Sequence, residues 1–488
     1  MNSPIRKVAA GCLLLCLALL ANVTYVQAFQ ADELNEREGN RRVLIDEYSR
    51  ERGPILVGEP PAEIASSTPV DGEFAFLREY AEPELYAHVT GFYSFVFGRS
   101  AIERAQNSIL SGGDDRWFFR RLVDLVTGEQ PRGGAVKLTI NPDAQQAAYE
   151  ALGDNKGAAV AIEPSTGAIL AMVSKPSYDP NPLASHSVSE QQEAWNELRE
   201  DDDNLDRNRA IAQTLPPGSV FKIVTAAAAL ENGFEPGSVV PGPAVYDLPQ
   251  STAGLPNYNR QACGPNDETS VTNALSISCN TAFAWLGNEL DDDILREQAE
   301  QFGFNTQPLT NDDLNAARSV FPPDLDPPST AQSAIGQRDV RATPLQIAMV
   351  SAAVANRGVL MNPYLVDELR GPDLVSVLDV TNPQELSRAV STETAQQLTA
   401  MMVDVVENGT GQSAQISGVR VAGKTGTAQS APDRPPYAWF TAFAPADNPE
   451  VAVAVVIEEA PDIARDEIAG GRLAAPVAVA VMEAVLGS

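Results

Sequence analysis

Ser219 and Lys222 lie three residues apart in Pro217-Gly218-Ser219-Val220-Phe221-Lys222, a spacing that puts a hydroxyl and an amine on one face of a helix and within reach of each other. A serine hydroxyl becomes a useful nucleophile only when a nearby base takes its proton. The chain has two histidines, His88 and His186, the first in its N-terminal part. A histidine-centred triad is therefore not expected, and with so few soft ligands neither is a zinc site of the common type. Lysine is the candidate base: only Lys7, Lys137, Lys156, Lys175, Lys222 and Lys424 occur, and arginine supplies most of the positive charge. Retained lysines suit positions that need a deprotonatable amine or a compact point charge. Two further short patterns each occur once, Ser278-Cys279-Asn280 and Lys424-Thr425-Gly426-Thr427. Each is weak alone; together and in this order they outline one site.

The elements around these residues have to bring them together. Pro217-Gly218 cannot continue a preceding helix, and Ile223 to Leu230 reads as a buried helix that stops at Asn232-Gly233. Ser219 is thus expected near a helix N-terminus, where unpaired N–H groups and a partial positive charge favour negative charge on a reacting oxygen. Upstream, Val136 to Ile140 reads as extended and Pro142 to Leu152 as helical. Strand patterns Ala158–Ile162 and Ala168–Val173 flank the turn Glu163-Pro164-Ser165-Thr166-Gly167. A long, predominantly helical stretch, 219 to 405, follows. Three strand patterns, Val419–Thr427, Ala438–Ala444 and Val451–Ile457, and a helical one, Ala475–Leu486, close the chain. Strands at both ends with helices between predict an α/β protein of the α+β type: one five-stranded antiparallel sheet covered by helices. The Lys424 pattern falls at the end of one of its strands.

Residues Val8 to Phe29 are nearly all apolar and uncharged, preceded by Arg6-Lys7 and followed by the charged run Asp32 to Glu38. That predicts a single membrane pass with its basic end inside. Cleavage after Val26-Gln27-Ala28 is the competing reading, and the length of the apolar run favours an uncleaved anchor. We divide the chain into residues 1–29, a cytoplasmic tip and transmembrane signal anchor; 30–135, a smaller pedestal, dimerisation-like domain; and 136–488, the catalytic domain. In the pedestal, Asn40–Leu44 and Arg52–Val57 read as extended, Ala101–Val126 as helical pieces, and Gly128–Gly134 as the linker. A hydrophobic content of 44% with 20% charged residues is ordinary globular composition, and a net charge of −31 argues against nucleic acid as a partner. The acidic run Asp201-Asp202-Asp203 is expected to be a solvated loop. With the bulk of the chain outside the cytoplasmic membrane, thiols there can oxidise. Cys12 and Cys16 fall in the anchor, which leaves Cys263 and Cys279 either as a disulfide, worth roughly 3 kcal/mol by loop closure, or as two buried thiols.

With its three patterns in this order, the chain resembles the penicillin-binding proteins and serine β-lactamases. Ile335-Gly336-Gln337, Ala342-Thr343-Pro344-Leu345-Gln346, Asn356-Arg357-Gly358 and Glu163 to Gly167 resemble stretches of the class B, monofunctional penicillin-binding proteins. The pedestal is similar only through Arg52-Gly53-Pro54-Ile55. The resemblance implies a β-lactamase/transpeptidase-like fold and a peptidoglycan D,D-transpeptidase inhibited by β-lactams. Ser219 would attack the D-Ala-D-Ala bond of a stem peptide, Lys222 would take its proton, and Ser278 would relay a proton to the departing amine. Asn280 would bind the peptide framework, Lys424, Thr425 and Thr427 would hold the substrate carboxylate on the strand through Gly426, and the N–H groups of Ser219 and Thr427 would form an oxyanion hole. It implies no cofactor and no metal, and as partners the membrane, a glycan polymerase and a wall-synthesis complex. A D,D-carboxypeptidase or β-lactamase with the same nucleophile, and a non-catalytic β-lactam sensor or scaffold, are the alternatives. The anchor and pedestal speak against a small secreted hydrolase.

Overall fold

The computed structural model describes residues 2–30, 45, 47–72, 74–114, 116, 132–310, 312, 314–429, 434–461 and 463–487. The readings of Asp32–Glu38 and Asn40–Leu44, and those of 117–126 and 128–131, lie outside these residues. The chain enters through helix α1 (Asn2–Phe29), whose segment Ser3–Gln27 is long and apolar enough to cross a membrane and is not buried against the rest of the protein.

Beyond it come three strands, β1 (Ile55–Val57), β2 (Ala62–Pro69) and β3 (Phe76–Tyr80), and then β4 (Ala135–Leu138). Helix α2 (Pro142–Leu152) starts cleanly, because Asn141 accepts the N–H groups of Asp143 and Ala144 and Pro142 needs no donor in the first turn. The hairpin β5 (Lys156–Ile162) and β6 (Ile169–Lys175) follows. The helices that matter next are α3 (Lys222–Glu231), α4 (Asn280–Gln301) and α5 (Pro344–Ala355). Strands β7 (Val366–Arg370) and β8 (Val377–Val380) precede α6 (Thr392–Glu407). Strands β9 (Ala422–Ala428), β10 (Tyr437–Ala444) and β11 (Val451–Glu459) lead to α7 (Gly470–Leu486).

The catalytic sheet has the order β9-β10-β11-β5-β6, with every neighbouring pair antiparallel. Apart from β9, which carries Lys424, Thr425 and Thr427, its strands read as largely apolar runs because both faces are covered. Along β11, Ala452, Ala454 and Val456 join a core with α3 and α5, while Val451, Val453, Val455 and Ile457 join a second core with α2 and α7. The expected five-stranded antiparallel sheet covered by helices is thus the observed fold. Helix α7 begins at Gly470, earlier than the pattern from Ala475 suggested, and accommodates Pro476 in its interior.

The second sheet has the order β8-β7-β4-β1-β2-β3. It corrects the reading of residues 219 to 405 as predominantly helical, since β7 and β8 come from that stretch and extend the pedestal's own strands. These strands, Val-Asp-Glu-Leu-Arg and Val-Leu-Asp-Val, are short, charged and half-exposed, so their pattern resembles a surface loop. Under this sheet the Glu103 carboxylate, fully buried, takes Arg52 Nε at 2.6 Å and Arg78 Nε at 2.7 Å. In the acidic run, Asp201 and Asp202 are exposed and Asp203 pairs with Lys156 Nζ at 2.6 Å.

Candidate active site

Gly218 to Phe221 form a single 3-10 turn that opens into α3, so Ser219 stands at the mouth of a buried helix. The turn is gripped from three sides. Gly218 donates its N–H to Gly336 O at 2.8 Å. Trp439 Nε1 on β10 donates to Pro216 O at 3.0 Å. On β9, a side chain at Gly426 would meet Val220 Cγ1 at 3.0 Å and Pro217 O at 3.2 Å, so a larger residue would press the strand against this turn. Ser219 itself is half-buried, and its hydroxyl has no hydrogen-bond partner among the described residues.

Lys222 is fully buried one turn further on. Its Nζ lies 2.8 Å from Ser278 O, 3.3 Å from Ser278 Oγ and 2.8 Å from Asn280 Oδ1. Lys424, equally buried, places its Nζ 3.0 Å from the same Ser278 Oγ and 2.9 Å from Thr425 O. Ser278 Oγ therefore bridges the two amines. Burial holds Lys222 well below the ordinary lysine range, and the charge of Lys424 pushes it further down. Burial alone lowers Lys424 to about 7.

The second motif sits on a strained connection. Ser278 adopts a left-handed backbone, φ 59°, that turns the chain into α4. Cys279 caps that helix and is bonded to Cys263, with Cα atoms 6.0 Å apart. The buried amide of Asn257, which nothing in the sequence marked, accepts the N–H groups of Asn280 and Thr281.

Strand β9 is an edge of the five-stranded sheet, so its outer backbone groups have no partner strand. Alternation sends Lys424 to the α3 face and Thr425 to the other. There Thr425, 8% exposed, shares a 2.6 Å hydrogen bond with Thr410, a second residue that carried no sequence signal. Thr427 is the more open of the two hydroxyls. The structure thus gathers Ser219, Lys222, Ser278, Asn280 and Lys424 around one point, with Gly426 and Thr427 beside them. Neither histidine is part of this group: His88 Nε2 lies 2.7 Å from Leu205 O and His186 Nε2 lies 3.1 Å from Phe76 O. Among the described residues no cluster of three or more histidine, cysteine or carboxylate side chains is placed to hold a metal.

Residues 157–483 match the family model described as the penicillin binding protein transpeptidase domain, and residues 52–136 match the penicillin binding protein A dimerisation domain. The chain belongs to the penicillin-binding protein transpeptidase family. It is 47% identical to a peptidoglycan D,D-transpeptidase PbpA of Mycolicibacterium smegmatis, over 100% of this chain and 99% of the relative. It is 46% identical, with the same coverage, to the PbpA of Mycobacterium tuberculosis. The structure of penicillin-binding protein A from M. tuberculosis as its ceftriaxone acyl-enzyme superposes with a TM-score of 0.87 at 46% identity, covering 91% of this chain and 100% of that one. Its penicillin G acyl-enzyme gives a TM-score of 0.85 at 46% identity, covering 90% and 100%. The expected membership in the class B penicillin-binding proteins, with their transpeptidase fold, therefore holds.

Proposed function

We infer that this penicillin-binding protein is a serine D,D-transpeptidase that cross-links peptidoglycan stem peptides through an acyl-enzyme on Ser219 and is inhibited by β-lactams. One observation carries the reading: a serine hydroxyl, Ser278 Oγ, bridging two buried lysines at 3.3 and 3.0 Å beside a serine at a helix mouth. With Lys222 neutral and Lys424 charged, the bridge has a direction. Lys424 donates to Ser278 Oγ, and Ser278 donates to Lys222.

Lys222 is the base. Its Nζ exchanges one of its bonds to the second motif for Ser219 Oγ, an adjustment expected on substrate binding, since catalytic hydrogen bonds tighten in the complex. Ser219 Oγ then bonds to the carbonyl carbon of the penultimate D-Ala and its proton passes to Lys222 Nζ. As the peptide C–N bond breaks, that proton reaches the leaving D-Ala amine through Ser278. In the second half an amine of a neighbouring stem peptide attacks the acyl carbon and loses a proton to Lys222, which returns it to Ser219 Oγ as the acyl C–O bond breaks. The Ser219 and Thr427 N–H groups stabilise each tetrahedral oxyanion. Lys424 and Thr427 hold the terminal carboxylate, Asn280 binds the peptide framework, and edge strand β9 pairs with the donor.

Helix α1 anchors the protein in the cytoplasmic membrane with residues 30–488 outside, the pedestal carrying the transpeptidase domain away from the bilayer. There it works beside a glycan polymerase within a wall-synthesis complex, with no cofactor and no nucleic acid. Mass spectrometry of the full chain in detergent after incubation with penicillin tests the central step. A stable adduct on Ser219, absent from Ser219→Ala, is expected. An unmodified protein, or an adduct on another residue, would overturn it. With stem peptide and an amine acceptor, release of D-Ala without amide product would move the reading to a carboxypeptidase.

A further inference from the structure

We propose that Asn257 is the positioning residue of this active site, its carboxamide oxygen fixing Asn280 against Lys222 and the acyl donor. The proposal rests on the acyl-transfer reading above and adds to it a residue that lies outside all three motifs.

Asn257 is 5% exposed, and every polar atom of its side chain is engaged. Oδ1 accepts the backbone N–H of Asn280 at 2.9 Å and of Thr281 at 3.1 Å, two of the orphan donors at the start of α4. Nδ2 donates to Pro243 O at 3.0 Å and to Gln261 O at 2.8 Å, so the amide's orientation is set by carbonyls that accept only donors. Flipping the amide would face its NH2 against two N–H groups and its oxygen against two carbonyls. The neighbouring residue completes the clamp, because Asn280 Nδ2 donates to Pro256 O at 3.3 Å. Asn280 Oδ1 is thereby left pointing at Lys222 Nζ, 2.8 Å away.

Segment Pro256-Asn257 thus holds Asn280 by its backbone and by its side chain at once. That control is needed here. Ser278 takes a left-handed backbone just before α4, and the disulfide at Cys279 fixes the Cys263 loop to this turn without touching the Asn280 amide. If the Asn257 oxygen is lost, two buried N–H groups must find other partners, and the first turn of α4 keeps only the Cys279 cap, which accepts Ala282 N and leaves Asn280 N unheld. Asn280 then loses its aim at both Lys222 and the substrate. Displacements near 1 Å at a reacting centre reduce rates about a hundredfold. Asn257 itself touches no reacting atom, so its effect has to pass through Asn280.

That dependence is measurable in the full-length chain in detergent, as the second-order rate of acylation by a fluorescent penicillin across a pH series. Asn257→Ala is expected to lower the rate at the maximum of the pH profile at least tenfold, and to lower it by less than threefold when introduced into Asn280→Ala. Asn257→Asp keeps an oxygen acceptor toward Asn280 and Thr281, and, buried against Pro243 O and Gln261 O, its second oxygen favours keeping a proton to donate to them. It is expected to recover the rate to within about threefold at the maximum of its own pH profile. Asn257→Ala within threefold of the unsubstituted rate would overturn the proposal, and so would a tenfold loss that persists in the Asn280→Ala background. Should Asn257→Ala not fold, Asn257→Asp decides: a cooperative melt with a tenfold lower maximal rate overturns the proposal. Absence of acylation in the unsubstituted chain would instead refute the acyl-transfer reading.

Discussion

Replacing Gly336 with alanine should slow acylation far more than it destabilises the fold, and the reason lies in one contact. A Cβ on Gly336 would stand 2.2 Å from Gly218 O, 2.9 Å from Gly218 C and 2.7 Å from Phe221 Cβ. Two of those three atoms are backbone, so no flexible side-chain end can yield. The two segments are also tied by the 2.8 Å bond from Gly218 N to Gly336 O. Relief needs about 1 Å of movement in the residue preceding Ser219, a displacement that costs about a hundredfold in rate. The left-handed φ of 70° at Gly336 adds about 1–2 kcal/mol for a residue with a Cβ, and overpacking adds about 1–3 kcal/mol. The expected loss of stability is therefore about 2–5 kcal/mol, within the usual range a domain can lose and stay folded.

Gly233 supplies the comparison. It too has a left-handed backbone, φ 91°, at the far end of the same helix, but a Cβ there meets nothing within 4 Å. Gly233→Ala should lose about 1–2 kcal/mol from backbone strain alone and acylate at the unsubstituted rate. Thermal melts and the acylation rate with fluorescent penicillin, measured on all three proteins, separate the two effects. A Gly336→Ala protein that melts lower but acylates within threefold of the unsubstituted chain would refute the claim that this contact sets Ser219.

The lysine pair predicts a bell-shaped pH profile. Acylation requires Lys222 neutral, and burial with Lys424 nearby lowers its proton affinity, so the rate rises from acid pH early. Holding a carboxylate requires Lys424 charged, and its lowered value of about 7 in the free protein makes binding fall as pH rises above it. The unfolded chain binds the Lys424 proton up to about 10.5, so between about 7 and 10.5 it carries more protons than the folded one. Stability from this group therefore increases as pH rises through that window. A flat acylation profile from about pH 6 to 9 would contradict these roles. In the pedestal, Glu103→Gln leaves Arg52 and Arg78 buried without their counter-charge and should cost about 3–5 kcal/mol. A denaturant melt showing less than about 1 kcal/mol would remove that cluster from the account.

The sequence carried the parts of this molecule whose physics is local or periodic. Strands β5, β6, β10 and β11 were legible because burial on both faces makes each a largely apolar run, β9 by Val419, Val421 and Ala422 ahead of its polar motif, and α2 because Asn141-Pro142 is a start signal in itself. Helix spacing likewise showed that Ser219 and Lys222 can meet. It does not show which bond prevails, and in the fold Lys222 is bonded to Ser278 and Asn280, 56 and 58 residues away. Gly336 was visible as part of a triplet that resembles the class B proteins, but its reason, a backbone approach to Gly218 with no room for a methyl group, exists only once the two segments are packed. Asn257 was the least legible. In Leu255-Pro256-Asn257-Tyr258-Asn259 an asparagine reads as a turn residue bonding its own neighbours, and it does receive Arg260 N on its carbonyl. Its side chain, however, serves a helix start 23 residues on. An asparagine whose backbone makes the expected turn while its amide works elsewhere looks like any other turn asparagine in sequence. Residues of this kind are therefore where a motif-based account of an active site is incomplete, because a motif records the groups that meet the substrate and omits those that only aim them.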